Sequence, residues 1–179
     1  MNTLEAIQNR HSYRGLYADA SVPREDLRRI LEAGLSEPSG CNRQTTSLIA
    51  VDDPDLMRRL LAVIDPPIAE TAPAAICALT QRITAYRDRC YAVQDYAAAI
   101  ENMLLAITEL GYASCWYEGH ITDEDRLGRR MAQILGVPED YELVCFLPVG
   151  IPMEEAGRVP KKAFAERAWF NGYRAGAEE

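Results

Sequence analysis

The chain has 179 residues, 48% of them hydrophobic, with a formal net charge of −8 and a sequence pI of about 4.9. That balance argues against nucleic acid or an anionic membrane as partner, and no apolar run approaches the roughly 20 residues of a membrane span. Two histidines, and five scattered cysteines with no Cys-x-x-Cys pair, leave little for a zinc site or a Ser-His-Asp triad; reduced thiols fit a cytoplasmic protein.

The opening MNTLEAIQNR lacks the basic lead and apolar stretch of a secretory signal. Asn2, with Glu5 three positions on, predicts a short first helix that carries Leu4 and Ile7 inward. A second helix runs from Ser21, with Pro23 in its first turn and Leu27, Ile30 and Leu31 at helical spacing, to Gly34. EPSGCNRQ (37–44) is turn chemistry throughout. TSLIAV (46–51) fits a buried strand, Asp53-Pro54 caps a helix to about Val63, and APAAICALT (72–80) fits a second buried strand. The region 65–95 is short, with no obvious inserted lid.

The longest periodic segment is 93–110, stopped by Gly111. Ala97, Ile100, Leu104, Ile107 and Leu110 form one stripe, and Ala99, Met103 and Ala106 widen it, so this helix is buried on more than one side. It belongs in the domain centre or at a subunit interface. YASCWYEG (112–119) reads as a strand edge or loop, and Thr122 with Asp125 is a capping box for a helix to Gly136. YELVCFLPVGIP (141–152) is the third strong strand. Helices and strands mix without strict βαβ alternation, which predicts an α+β fold, one sheet covered by helices on both faces, in one domain spanning 1–179.

RHSYR (10–14) bears on function. In a helix Arg10 and Arg14 share a face and Ser12 points away; in an extended chain all three lie on one side. Gly15 and the β-prone residues around Ser12 favour a helix ending near Arg10, and two guanidinium forks beside a hydroxyl make a phosphate cradle. By itself the pentapeptide is more simply two solvated arginines at a helix end. In the second segment, Ser39, Asn42 and Gln44 are neutral hydrogen-bonding groups suited to the edge of a flat heterocycle; alone, they read as an ordinary turn.

In order along the chain, RHSYRG, EPSGCNRQ and AAAIENMLLAITELGYASCWYEG, followed by the strand at 141–152 and Lys161-Lys162, resemble the nitroreductase family of FMN-dependent oxidoreductases. The resemblance implies a nitroreductase-like fold with a central mixed sheet flanked by helices, in an intertwined homodimer holding FMN at its interface. Arg10, His11, Ser12 and Arg14 then hold the FMN phosphate and ribityl chain, with Arg14 near N1 of the ring. Pro38, Ser39, Asn42 and Gln44 lie on the loop that approaches the flavin of the partner subunit. The backbone of Glu118 and Gly119 faces the N5 edge, and Lys161 and Lys162 close over the phosphate. Two departures stand out: Thr45-Thr46 where members often carry Pro and an aromatic, and a Lys pair where an arginine is expected. The aromatic tail (Trp169, Phe170, Tyr173) either packs on its own domain or reaches across the dimer.

The resemblance further implies electron transfer from NADH or NADPH to an electron-poor small-molecule acceptor, such as a nitroaromatic or quinone, by a ping-pong cycle. The flavin carries the chemistry, so neither a catalytic side chain nor a metal is needed. A non-catalytic flavin-binding or redox-sensing protein, and a relative with its own substrate (a reductive dehalogenase or enone reductase), share the same frame.

Overall fold

The computed structural model describes residues 1–64, 67–118, 127–155, 157 and 159–173. The first helix is α1 (Thr3–Asn9), opened by a reciprocal cap: Asn2 Oδ1 accepts the Glu5 N–H at 3.0 Å, and Glu5 Oε2 accepts the Asn2 N–H at 2.9 Å. Its buried face is not the expected one. Leu4 and Ile7 are 70% and 49% exposed, and Ala6 alone is buried, where α1 rests on α4 (Ala92–Glu109). Helical spacing groups residues on a face without saying which face meets the rest of the chain, and small Ala6 permits close approach.

α2 (Arg24–Gly34) follows Pro23 and buries Leu27 and Ile30 as expected. β1 (Thr46–Val51) leads to α3 (Pro54–Leu61), whose cap Asp53 accepts the N–H groups of Asp55 and Leu56. β2 (Ala74–Thr80), buried throughout, is the central strand of a three-stranded sheet, between β1 and β5 (Glu142–Val149). Alternation sends Ala75, Cys77 and Leu79 toward Met57 and Leu60 of α3 and Met131 of α5 (Leu127–Leu135). Ala74, Ile76 and Ala78 face Leu27 and Ile30 of α2 and Ile100 and Met103 of α4. A strand covered on both faces reads as an unbroken apolar run, which is why 72–80 carries no alternation.

The helix-covered α+β arrangement is therefore present, with one refinement. Among the described residues every strand pair is antiparallel, and parallel pairing is confined to a single bridge between Ser12 and Ser114. Each connection re-enters the sheet at the end it left instead of crossing to the far end. A register shift between Ala78 and Leu79 lets Val144 and Cys145 both join the α4 side.

A small hairpin, β3 (Thr84–Tyr86) and β4 (Arg89–Cys90), stands where the sequence showed no inserted element. Its turn uses Arg87 and Asp88 at φ 48° and 59°, a left-handed pair usually signalled by Asn-Gly and so silent here. α4 matches the apolar segment at 93–110 and stops at Gly111, which adopts φ +82°. The Thr122–Asp125 capping box lies outside the described residues. Among the described residues no helix is long and apolar enough to cross a membrane.

Candidate functional site

α1 ends at Arg10, which turns to φ −59°, ψ 125° while its N–H still bonds the Ala6 carbonyl. From there the chain is extended. Ser12 bridges Ser114, and the Tyr13 N–H donates to the Ser114 carbonyl at 2.8 Å. Tyr13 is buried, while Ser12 and Arg14 are exposed, so the two-residue period selects the extended alternative. The Tyr13 hydroxyl donates to the Leu16 carbonyl and accepts the Met153 N–H at 3.2 Å, which pins the inward side.

On the outward side the charges are loosely held. Arg10 Nε lies 3.6 Å from the Glu101 carboxylate, itself about half exposed, a pairing worth less than about 1 kcal/mol. Arg14 has no ion pair among the described residues; it lies beside Cys115, and burial raises that thiol's pKa against the pull of the arginine. His11 Nδ1 sits 2.8 Å from the Asn9 carbonyl. Arg10, His11, Ser114 and Pro152 line a groove of about 80 Å³. Ser114 itself is 3% exposed, and its hydroxyl has no partner among the described residues. Two available guanidinium groups, a hydroxyl and a polar recess fit a phosphate ester on a hydroxylated chain.

The second segment is a tight loop around a 3₁₀ turn (Gly40–Asn42). Pro38, Asn42 and Gln44 are exposed; Ser39 is half-buried, and its hydroxyl accepts the Gln44 N–H at 3.0 Å. Cys41, Asn42 and Gln44 all adopt left-handed backbone, at φ 53°, 54° and 50°. Gly40 is needed for close approach, because a Cβ there would lie 2.7 Å from Cβ of Tyr91. Beneath the loop, buried Asp95 accepts the Gly40 N–H and the Thr45 hydroxyl, each at 2.8 Å. Burial holds the nearby Glu37 carboxyl above the usual carboxylate range.

Glu118 is gripped at both oxygens: Oε1 accepts the Tyr96 hydroxyl at 2.8 Å and Oε2 accepts the Trp116 indole N–H at 2.6 Å. Burial first, then the bond to Glu118, pushes the Tyr96 phenol up to about 12. Gly119 lies outside the described residues. Lys161 and Lys162 are exposed and make no ion pair among the described residues.

α4 relates these parts. Its first turns hold the 39–45 loop through Asp95 and Glu118 through Tyr96, while Arg10 faces Glu101, roughly 9 Å further along at the α-helical rise. Within one chain no hydrogen bond or ion pair links Arg10, Ser12 or Arg14 to Ser39, Asn42 or Gln44 among the described residues. Asp95 and Ser114 were not singled out from sequence, while Tyr96 and Trp116 stood out only by location, as aromatic side chains near the ring; a carboxylate entering the most apolar helix was the one available signal for Asp95. Cys77, Cys115 and Cys145 are buried with raised pKa values, so none offers a thiolate. A larger cleft, about 610 Å³, lies elsewhere, between α5 and the start of β5, lined by Arg82, Arg129 and Gln133.

The nitroreductase family model matches residues 7–66 and 62–151. A relative from Methanothermobacter thermautotrophicus, provisionally named NADH dehydrogenase/NAD(P)H nitroreductase, is 30% identical over 158 residues, covering 88% of this chain and 81% of its own. The crystal structure of a nitroreductase with bound FMN from Bacteroides fragilis is 29% identical, with a TM-score of 0.76, covering 95% of this chain and 98% of that one. An FMN-dependent nitroreductase from Clostridium difficile is 25% identical, with a TM-score of 0.80 and coverage of 95% and 99%. The chain belongs to the nitroreductase family.

Proposed function

We propose that this protein is an FMN-dependent oxidoreductase that takes electrons from NADH or NADPH and passes them to an electron-poor acceptor, a nitroaromatic or quinone, in a ping-pong cycle. The observation that carries the reading is the extended RHSYR segment, where inward Tyr13 leaves Ser12 and Arg14 exposed, with Arg10 half-buried at the adjoining groove. Family membership and the relatives' names add support.

Bound FMN supplies the two-electron chemistry, and the protein supplies binding and electrostatics. Arg10 and Ser12 hold the phosphate and ribityl chain, with His11 beside them and Lys161 and Lys162 closing from the tail. Arg14 places a fixed positive charge near the ring end, where it favours an anionic reduced state. The Glu118 side chain is occupied by Tyr96 and Trp116, so any contact of Glu118 with the ring edge falls to its backbone.

The working unit in this reading is a homodimer in which Pro38, Ser39, Asn42 and Gln44 of one copy meet the cofactor held by the other. The exposed apolar surface supports it. Leu4 and Ile7 on α1 and Phe164, Phe170 and Tyr173 of the tail stand in solvent in the isolated chain, where a partner copy would cover them. The tail rings meet one another at a tilt, Trp169 and Tyr173 with centroids 4.3 Å apart and Phe164 and Phe170 6.1 Å apart.

The test is the visible spectrum of the purified protein, followed by anaerobic NADH. Flavin bands that bleach, and return when a quinone is added, are the expected result. Bands that stay unbleached with both NADH and NADPH would make this a flavin-binding protein without turnover. A colourless protein that takes up no added FMN overturns the reading.

A further inference from the structure

We propose that Asp95 is a positioning residue for the cofactor: its buried carboxylate holds the 39–45 loop in a strained, pre-set shape, so that Ser39, Asn42 and Gln44 reach the cofactor of the second copy already ordered. The inference rests on the FMN and dimer reading above.

Three observations converge. Asp95 is 2% exposed, and both its oxygens are spent on the loop: Oδ1 on the Gly40 N–H and Oδ2 on the Thr45 hydroxyl, so one side chain ties the two ends together. No cation pairs with it among the described residues. Its remaining support is its place in the first turn of α4, where the helix dipole favours a negative charge. A buried carboxylate without a counter-ion is a costly way to anchor a turn that needs only stability.

The loop it anchors is unusual. Three of its residues hold left-handed backbone without being glycine, and such strain persists only where the surroundings over-determine it. The fastenings lie underneath, at Gly40, Thr45 and Ser39, while Asn42 and Gln44 project outward and are exposed. Strain below and free amides above is the arrangement of a binding loop whose ordering cost is met before the ligand arrives.

The experiment measures FMN affinity by fluorescence titration of flavin-free protein, alongside the melting temperature of the same flavin-free samples. Asp95→Asn keeps the volume and one acceptor, and is expected to weaken FMN binding by on the order of tenfold. The discriminating sample is Asp95→Asn with Cys41→Gly. Glycine accepts the left-handed backbone, so stability returns, yet the loop is looser and FMN affinity stays low. Were Asp95 only structural, affinity would return with stability, and that result overturns the positioning role. If Asp95→Asn fails to fold, Thr45→Val removes one of the two bonds and is expected to weaken FMN several-fold, while Thr45→Ser holds wild-type affinity. Equal affinity in Thr45→Val and wild type overturns the role. Wild-type protein that binds FMN beside an Asp95→Asn variant of equal affinity defeats this proposal alone; wild-type protein that binds none defeats the FMN reading with it.

Discussion

The Tyr13 N–H donates to the carbonyl of Ser114 at 2.8 Å, and this bond sets the phase of the RHSYR segment. With Tyr13 committed inward, the adjacent Ser12 and Arg14 face outward, and the arginines are presented without a strong partner of their own. The charge proposed to hold the cofactor phosphate is therefore positioned by a backbone bond and a buried ring, not by an ion pair.

Arg10→Ala separates binding from stability. Loss of a charge-assisted phosphate contact is expected to weaken FMN by about 2 kcal/mol or more, roughly thirtyfold. The flavin-free melting temperature should hardly move, because the Arg10–Glu101 contact is long and half exposed. Titration with FMN and a thermal scan of the stripped protein check both halves. A variant that keeps FMN at wild-type affinity refutes the phosphate assignment.

Cys41→Gly is expected to stabilise the fold. A left-handed residue with a side chain costs about 1–2 kcal/mol, and the extra freedom of glycine in the unfolded chain returns part of that. A net gain of about 1 kcal/mol raises the melting temperature by roughly 2–4 °C in a chain of this size. Gly40→Ala next door should do the reverse, since its Cβ would collide with Cβ of Tyr91 at 2.7 Å. Calorimetry on the two variants tests the loop geometry from both sides.

Tyr96 makes stability depend on alkaline pH in a defined direction. Its folded pKa of about 12 lies above the ordinary tyrosine value of 10, so the folded state holds this proton more tightly than the unfolded chain. The contribution is fully present below pH 10 and is lost as pH rises from about 10 to about 12. Wild-type protein should lose stability over that window faster than Tyr96→Phe, as read from urea midpoints at each pH. Glu118→Gln should lower the tyrosine pKa only in part, because burial is the larger cause.

Leu4→Glu combined with Ile7→Glu tests the proposed dimer. Both residues are exposed in the isolated chain, so the charges should leave the monomer fold intact while weakening association. Sedimentation velocity is expected to show a shift toward monomer, with FMN occupancy falling in parallel. A dimer of unchanged strength would remove α1 from the interface.

What the sequence determined by itself is the short-range part. The Asn2–Glu5 box, the Asp53 cap, the glycine stop after α4 and the unbroken apolar run of β2 arise from interactions within a few residues, and each was legible. So was the set of family motifs, because their order along the chain is itself sequence information. The tertiary structure alone decided which face of α1 stays in solvent, that Asp95 bonds to residues 50 and 55 positions away, and that Tyr96 holds Glu118 across 22. It also decided that Arg87 and Asp88 make a tight turn without a glycine. These features depend on segments that meet only after folding, and their free energy comes from burial and packing between them. Local propensity and spacing carry no record of such meetings, which is why a helix could be read as apolar while the one carboxylate it buries could not be assigned its purpose.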